Sequence, residues 1–286
     1  MKKPNYISPG KFSTTFFDEI LRSKEFDDIY FSSENGQKES DHVFISGNNL
    51  KEIMPNSKNF IIGELGFGTG LNFLLTWKLF KELKIKDGYL DYISIEGYPL
   101  MKNQMNKVHE KHPNLQKLWV ELQDALPPLW SGIHRLNLNH GKVRLTLIYN
   151  DVLEALKNSI FKADAWFLDG LSPNKNHDMW SLEVMSEIYR LTKPSGTFAT
   201  FSSAGFVRRN LEKAGFDVKK IKGYNFKKEM SCGQKPGMEK SKEKFSKIVI
   251  VGGGVAGASI ASSLRKRGYD PIVIEKTINW PKDHLA

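Results

Sequence analysis

The carboxylates most suited to chemistry follow successive predicted strands of this chain. Glu64 opens a glycine-rich turn, Glu64-Leu65-Gly66-Phe67-Gly68-Thr69-Gly70, directly after an apolar run. Glu96 ends the next predicted strand, Asp151 follows the third, and Asp169 follows the fourth. In open α/β sheets, ligands bind outside the carboxyl ends of the strands. The sequence therefore predicts one ligand site that these side chains share.

The glycine turn favours a nucleotide-like cofactor without a pyrophosphate. Glycines let the backbone approach a ligand closely and adopt positive φ. A dinucleotide turn wants its acidic residue only at the end of the next strand, and a phosphate loop needs a following lysine, which this turn lacks. An acidic residue before the glycines resembles the first motif of S-adenosylmethionine-dependent methyltransferases. The cationic sulfonium of that cofactor makes an acidic neighbour electrostatically sensible.

This resemblance implies roles for several residues. It predicts a cofactor loop of Gly66, Gly68 and Gly70, with Glu64 and Asn72 as further cofactor-binding residues. We expect Glu96 to accept hydrogen bonds from ribose hydroxyls and Asp151 to meet the adenine amino group. The alternative is that Glu96 and Asp151 only cap the helices that follow them.

Asp169 is the predicted catalytic residue. Methylating an amine requires a neutral nitrogen lone pair, and a carboxylate can orient the amine and accept its proton. The alternative is a turn or helix cap. The following loop offers substrate contacts at Lys175 and Asn176. Trp180 either stacks on a base or anchors the core.

The motifs together resemble the methyltransferase part of the MnmC family, bifunctional enzymes that make 5-methylaminomethyl-2-thiouridine at the tRNA wobble position. The residues that carry the resemblance include Glu64–Phe73 (ELGFGTGLNF), Ser203–Arg209, Lys228–Gly233 and, in the loop after the fourth strand, Asp169-Gly170, Pro173, Lys175-Asn176 and Asp178-Met179-Trp180. The resemblance implies that the chain methylates the side-chain amine of 5-aminomethyl-2-thiouridine, with Arg208 and Arg209 among the substrate-binding residues. Asn174, His177, Asn225 and Phe226 depart from the family pattern, which affects the expected RNA contacts.

A second glycine turn lies near the end of the chain. Gly252, Gly254 and Gly257 follow an apolar strand, open a helix and precede Glu275, which is the spacing of a dinucleotide-binding turn. By the resemblance this is the start of an FAD-dependent oxidase. Because the chain stops at Ala286, we expect a truncated piece that encloses no flavin.

The order of predicted elements gives the fold class and the domains. Strands and helices alternate from Asn59 onward, which predicts an α/β protein with a Rossmann-like methyltransferase sheet, followed by a truncated βαβ piece of an FAD-binding Rossmann domain. The order includes a hairpin around Asn139-His140-Gly141. The predicted domains are an N-terminal extension packed on the main domain (1–50), the methyltransferase domain (51–232), a linker (233–246) and the FAD-type fragment (247–286).

Composition limits the partners and the location. The chain has 286 residues and a formal net charge of +10, with basic residues crowded from Arg208 to Lys247. Such a charge suits nucleic acid, although a solvated basic surface is an equal alternative. There is no apolar run that could span a bilayer, no signal peptide and no metal-binding pattern, and Cys232 is the single cysteine. We expect a cytoplasmic protein whose partner is tRNA and which binds no metal and no membrane.

Two rival hypotheses remain open. The functional unit could be a flavin-dependent oxidoreductase that acts on the carboxymethylaminomethyl precursor once a separately encoded remainder is supplied. It could also be a non-catalytic RNA-binding module. Flavin absorbance of the protein distinguishes the methyltransferase hypothesis from the first rival, and a methyl-transfer assay distinguishes it from the second.

Overall fold

The computed structural model describes residues 22–23, 28–29, 36–225, 227–238, 247–265 and 269–276. The chain divides into two compact units, Met1–Glu239 and Lys240–Ala286. In the predicted N-terminal extension, the residues before 36, other than 22–23 and 28–29, lie outside the described residues.

An eight-stranded mixed sheet forms the larger unit. Its strands are β3 (Asn59–Leu65), β4 (Tyr89–Glu96), β5 (Gly132–Leu138), β6 (Val143–Tyr149), β7 (Ala163–Leu168), β8 (Thr192–Thr200), β9 (Asp217–Lys222) and β10 (Glu229–Gln234). A separate antiparallel pair joins β1 (Arg22–Ser23) to β2 (Asp28–Ile29). The order in the sheet is β5-β6-β4-β3-β7-β8-β10-β9, and the five strands from β6 to β8 are parallel. This is the predicted Rossmann-like arrangement, which brings the carboxyl ends of β3, β4, β6 and β7 to one edge.

Helices cover both faces of this sheet. They are α1 (Gly36–Ser40), α2 (Leu50–Ile53), α3 (Leu71–Glu82), α4 (Lys102–His109), α5 (Gln116–Ala125), α6 (Val152–Lys157), α7 (Leu182–Arg190) and α8 (Gly205–Ala214). The side chains of β3 show which buried cluster lies on each face of the sheet, because successive side chains of a strand point to opposite faces. Phe60 and Ile62 join the buried cluster under α3 and α5, whereas Leu65 joins the cluster under α7 and α8.

The predicted hairpin is confirmed. β5 and β6 pair antiparallel with Leu138 opposite Val143, and Asn139–Gly141 forms a short 3-10 turn between them. The sequence predicts one helix from Asp178 to Leu191, whereas the helix in the structure is shorter. Asp178–Trp180 is a separate 3-10 turn, and α7 starts only after Ser181, whose hydroxyl accepts from the Val184 amide.

The boundary of the predicted linker is wrong by two residues at its start. Gly233 and Gln234 belong to β10, which pairs with β8 on one side and β9 on the other. A Cβ on Gly233 would lie 2.0 Å from the Asp217 carbonyl oxygen, so the glycine allows a close strand approach. The sequence predicts a strand that ends at Met230, and low apolar content hid its continuation to Gln234.

The described part of the N-terminal extension packs on the sheet. A π-helix, Asp41–Ser46, continues α1, and its Val43, Phe44 and Ile45 are buried in the first cluster. The Phe44 ring stacks on Phe167 of β7 at 5.2 Å between centroids. This segment therefore lies beside the strand that leads to Asp169.

The smaller unit is a single βαβ element. β11 (Val249–Val251) pairs parallel with β12 (Ile272–Ile274), and α9 (Val255–Arg265) connects them. This is the strand, helix and strand order expected for the second glycine turn.

Candidate active site

The first glycine turn has the conformation that its glycines predict. Gly66, Gly68 and Gly70 have φ of +86°, +51° and +77°, values that favour glycine. A Cβ on Gly66 would lie 2.5 Å from the backbone oxygen of Asp169. The turn therefore packs directly against the residue predicted to be catalytic.

Asp169 and Asn72 meet at the centre of this edge. Asn72 lies in the first turn of α3 and donates from Nδ2 to Oδ2 of Asp169 at 2.7 Å. Burial raises the pKa of Asp169 to about 7, the hydrogen bond from Asn72 and the charge of Lys227 lower it, and the charge of Glu39 raises it. A half-buried carboxylate with a pKa near neutrality can accept a proton at physiological pH.

Glu64 is enclosed behind Asp169. It is fully buried, and its two oxygens accept from Asn72 Nδ2 at 3.1 Å and from Ser94 Oγ at 2.7 Å. Burial raises the pKa of Glu64 to about 8. The charge of Asp169 also raises this pKa, whereas the hydrogen bonds from Ser94 and Asn72 lower it. Its predicted role as a cofactor-binding residue is therefore not evident from its contacts.

Glu96 binds the backbone of the glycine turn. Its Oε2 accepts from the Gly68 amide at 2.9 Å, and its Oε1 accepts from the Tyr98 amide at 2.7 Å. Burial raises the pKa of Glu96, while these backbone hydrogen bonds lower it. The carboxylate is in place at the end of β4, and its bond to the ribose stays a prediction.

Asp151 caps a helix, as the alternative interpretation expected. Its Oδ1 accepts from the amides of Leu153 at 3.0 Å and Glu154 at 3.1 Å, in the first turn of α6. The side chain is exposed at the same sheet edge as Glu96. Its contact with an adenine amino group stays a prediction.

A mostly apolar cavity of about 180 Å³ opens beside Tyr149, which pairs with Glu96 across β4 and β6. The lining comes from the start of α4, the loop after α5 and the end of β6. Its residues are Leu100, Met101, Lys102, Met105, Leu126, Pro127, Pro128, Leu129 and Tyr149. The sequence did not identify this cavity, because its walls come from three separated segments.

His109 is a second residue that the sequence did not identify. It ends α4, is fully buried, and its Nε2 contacts the Thr69 carbonyl oxygen of the glycine turn at 2.8 Å. Burial lowers the pKa of His109 to about 4, so the ring is neutral near pH 7. Because a carbonyl only accepts, Nε2 carries the hydrogen, and the ring stacks on Trp119 at 4.3 Å between centroids.

A charged pair lies near Asp169. Lys227 Nζ is 2.8 Å from Glu39 Oε1 and 4.7 Å from the centre of the Phe201 ring. The two partners are 188 residues apart in the sequence, so local patterns gave no sign of the pair.

The prediction that Trp180 stacks on a base is wrong in this structure. The side chain is 1% exposed, its indole N–H donates to the Leu171 carbonyl at 3.0 Å, and its ring meets Phe201 edge-on. Trp180 is therefore a core anchor, which was the alternative interpretation.

The other predicted substrate residues lie on two segments. Lys175 is exposed and Asn176 is half-buried, with Nδ2 3.8 Å from the Met179 sulfur. Arg208 donates from Nε to the Ser203 carbonyl at 3.4 Å, and Arg209 is exposed on α8. Their contacts with a substrate stay predictions.

The second glycine turn is built within the smaller unit. Gly252 has φ of +103°, and a Cβ on Gly257 would lie 1.8 Å from the Gly252 carbonyl oxygen. Glu275 Oε2 accepts from the Gly253 amide at 2.5 Å. Gly254 faces open space. The geometry is that of a dinucleotide-binding turn, and the expectation that this piece encloses no flavin stays a prediction.

None of the helices in the described ranges of the chain combines the length and apolar character that crossing a bilayer requires. In the same ranges, no three His, Cys, Asp or Glu side chains are grouped so that they could hold a metal ion.

Comparisons with known proteins agree with this organisation. A family model described as S-adenosyl-L-methionine-dependent methyltransferase matches residues 113–236, and one described as NAD(P)-binding Rossmann-like domain matches residues 250–279. The chain is similar in structure to the crystal structure of MNMC2 from Aquifex aeolicus. The match has a TM-score of 0.61 at 24% sequence identity, and it covers 77% of this chain and 69% of that one. At that identity the likeness shows the fold.

Relatives at higher identity extend over most of the chain. The tRNA 5-methylaminomethyl-2-thiouridine biosynthesis bifunctional protein MnmC of Marinobacter nauticus is 42% identical over 274 residues, which are 92% of this chain and 43% of that protein. The protein of the same name from Marinomonas is 38% identical over 91% of this chain and 41% of its own length. The chain thus spans less than half the length of these relatives. Over the length that it matches, the chain belongs to the MnmC family.

Proposed function

We propose that the larger unit transfers a methyl group from S-adenosylmethionine to the side-chain amine of 5-aminomethyl-2-thiouridine at the tRNA wobble position. The observation that carries the proposal is the Asp169 carboxylate, held by Asn72 and packed against the glycine turn. The family comparisons support the same activity.

The residues at the sheet edge fit the cofactor. An added Cβ would collide with the Asp169 backbone at Gly66 and with the Phe67 ring at Gly70, so both glycines keep the cofactor turn tightly packed. Glu96 supplies the acidic group for ribose hydroxyls, and the apolar cavity beside Tyr149 has the character that an adenine ring requires. Asp151 follows the neighbouring strand and would meet the adenine amino group.

Asp169 supplies the proton acceptor. S-adenosylmethionine, when bound, would supply a methyl group whose bond to the sulfonium sulfur would break as the bond to the substrate nitrogen formed. Asp169 orients the substrate amine and accepts the proton that the nitrogen loses. Because burial places the pKa of Asp169 near 7, the carboxylate is ionised often enough to act near neutral pH.

A basic surface at the β9 edge of the sheet suits tRNA. β9 is an edge strand with Lys219, Lys220 and Lys222 exposed, and the exposed Lys227 follows it. Phosphate groups bind such basic side chains in a salt-dependent way. The proposed partner is therefore tRNA, and the proposed location is the cytoplasm, where tRNA is modified.

The smaller unit has the turn of a dinucleotide-binding domain. The turn at Gly252 and the Rossmann-like family match favour this class of ligand, and the family resemblance implies FAD. We propose that this single βαβ element does not retain flavin by itself. Flavin absorbance of the purified chain after addition of FAD and gel filtration tests this, and a protein that keeps stoichiometric flavin would contradict it.

The substrate is tested with two tRNAs. One carries 5-aminomethyl-2-thiouridine and the other carries the carboxymethylaminomethyl precursor, whose nitrogen is already substituted. We expect methyl transfer to the first only. The proposal fails if neither tRNA, or only the precursor, receives a methyl group from labelled S-adenosylmethionine.

A further inference from the structure

Two carboxylates share one side-chain amide behind the glycine turn. Asn72 Nδ2 carries two hydrogens, one directed to Oδ2 of Asp169 at 2.7 Å and the other to Oε1 of Glu64 at 3.1 Å. Ser40 donates its hydroxyl to Oδ1 of Asn72. A hydroxyl on the oxygen side and carboxylates on the nitrogen side fix the orientation of the amide.

Glu64 has no open side toward a ligand. Its side chain is fully buried, and Ser94 of β4 donates to its second oxygen at 2.7 Å. A cofactor could bond to Glu64 only by displacing Asn72 or Ser94. Displacing either group would leave a buried polar atom unpaired, which costs about 1–3 kcal/mol.

We propose that Glu64 is a positioning residue that fixes Asn72 and, through it, the carboxylate of Asp169, and that Glu64 does not bind the cofactor. This rests on the proposed methyl transfer, because only in that reaction does the orientation of Asp169 matter. Glu64, the acidic residue before the glycines, thus acts on the proton acceptor Asp169 only through Asn72.

The charge state agrees with this role. Burial raises the pKa of Glu64 to about 8, with the Asp169 charge adding to it, so Glu64 is mostly neutral at pH 7. Tyr92 is the other titratable group beside it, and burial raises the pKa of that phenol well above its usual range. A neutral Glu64 avoids a second negative charge next to Asp169. Ser94 can donate to or accept from Glu64, so its hydroxyl suits either protonation state.

Two variants of the full chain test the proposal. Glu64→Gln replaces a neutral carboxyl by a neutral isostere that can still accept from Asn72 and bond Ser94. Glu64→Ala removes both contacts. Glu183→Gln, at an exposed position in the first turn of α7, is the matched control. For each protein, the Kd for S-adenosylmethionine is measured by calorimetry, and kcat is measured at saturating cofactor across pH 6–9.

The expected results separate positioning from cofactor binding. Glu64→Gln keeps both Kd and kcat within about threefold of the unaltered chain, and Glu64→Ala lowers kcat about tenfold or more with a Kd within about threefold. The proposal is overturned if Glu64→Gln raises Kd about tenfold with unchanged kcat, because the loss of a charged cofactor ligand gives that pattern. It is also overturned if Glu64→Ala keeps full kcat with an unchanged pH profile.

A failure of the proposed methyl transfer can be distinguished from a failure of the proposed role of Glu64. If the unaltered chain binds S-adenosylmethionine but methylates no tRNA, the proposed function fails first. If Glu64→Ala does not fold, judged by circular dichroism, Glu64→Gln alone decides through its Kd.

Discussion

The side-chain amide of Asn72 donates a 2.7 Å hydrogen bond to Asp169, a residue 97 positions further along the chain. The bond joins the first turn of α3 to the end of β7. We expect Asn72→Asp to lower kcat by about 10- to 100-fold, because a carboxylate there removes the donor and adds a like charge that raises the pKa of Asp169. Methyl transfer measured from pH 6 to 9 should show the half-maximal rate moving to higher pH.

The matched control is Asn137→Asp, which adds the same charge at an exposed position of β5. We expect this control to keep the rate and the pH profile of the unaltered chain. A normal rate in Asn72→Asp would show that the amide does not orient Asp169.

Gly66 is the position of the turn that tolerates a side chain least. Its φ is +86°, and a Cβ would lie 2.5 Å from the Asp169 carbonyl oxygen. We expect Gly66→Ala to lower the free energy of unfolding by about 1–3 kcal/mol and to weaken cofactor binding, because the backbone must shift beside Asp169. Urea unfolding and calorimetry measure the two effects.

Gly97→Ala is the control for stability, because its Cβ would meet the Asn150 carbonyl oxygen at an ordinary 3.7 Å. If both alanine variants unfold at the same urea concentration, the strain argument for Gly66 is wrong.

The buried acid Glu64 should make stability depend on pH. Its folded pKa of about 8 lies above its ordinary value of 4.5, so the folded state holds a proton that the unfolded state has lost. The free energy of unfolding that Glu64 contributes therefore decreases as pH rises from about 4.5 to about 8. Glu64→Gln removes this dependence.

His109 acts in the opposite direction at lower pH, because its pKa is lowered to about 4 and the unfolded state gains a proton first. The comparison of the unaltered chain with Glu64→Gln isolates Glu64. We expect the variant to gain stability relative to the unaltered chain between pH 5 and pH 8.5 in thermal unfolding scans. A constant difference over this range would contradict a buried neutral Glu64.

His109 should support the cofactor turn from α4. Its Nε2–H donates to the Thr69 carbonyl at 2.8 Å, and a phenylalanine keeps the ring that stacks on Trp119 but lacks the donor. We expect His109→Phe to raise the Kd for S-adenosylmethionine about tenfold, since an unpaired buried carbonyl costs about 1–3 kcal/mol. Calorimetry at pH 7.5 measures the change.

His140→Asn serves as the control, at an exposed position in the β5–β6 turn with φ of 55° that asparagine tolerates. An unchanged Kd in His109→Phe would mean that the turn holds its shape without this bond.

The sequence predicted the parts of the site that local patterns encode. Apolar runs marked β3, β4 and β7, and each ends beside an acidic residue, so Glu96 and Asp169 came to one edge by the rules of parallel sheets. The helix α5 packs with α3 in the same buried cluster. Its Leu118, Trp119 and Leu122 lie at helical spacing, a signal that could have predicted this helix.

The remaining parts depend on contacts between distant segments. Ser40 and Glu39 come from α1, in an N-terminal segment without a clear period, and Lys227 comes from the loop between β9 and β10. The enclosure of Glu64 depends on Ser94 of the neighbouring strand, and the burial of Trp180 depends on Phe201 and Leu171. Residue spacing carries no information about such pairings, because tertiary packing decides them.

The most direct test compares the unaltered chain with Asp169→Asn in methyl transfer to tRNA that carries 5-aminomethyl-2-thiouridine. Asparagine keeps the size of the side chain but cannot accept a proton. We expect Asp169→Asn to bind S-adenosylmethionine with a Kd within about threefold and to lose about 100-fold or more in kcat. An Asp169→Asn variant that methylates this tRNA at the rate of the unaltered chain would contradict Asp169 as the proton acceptor.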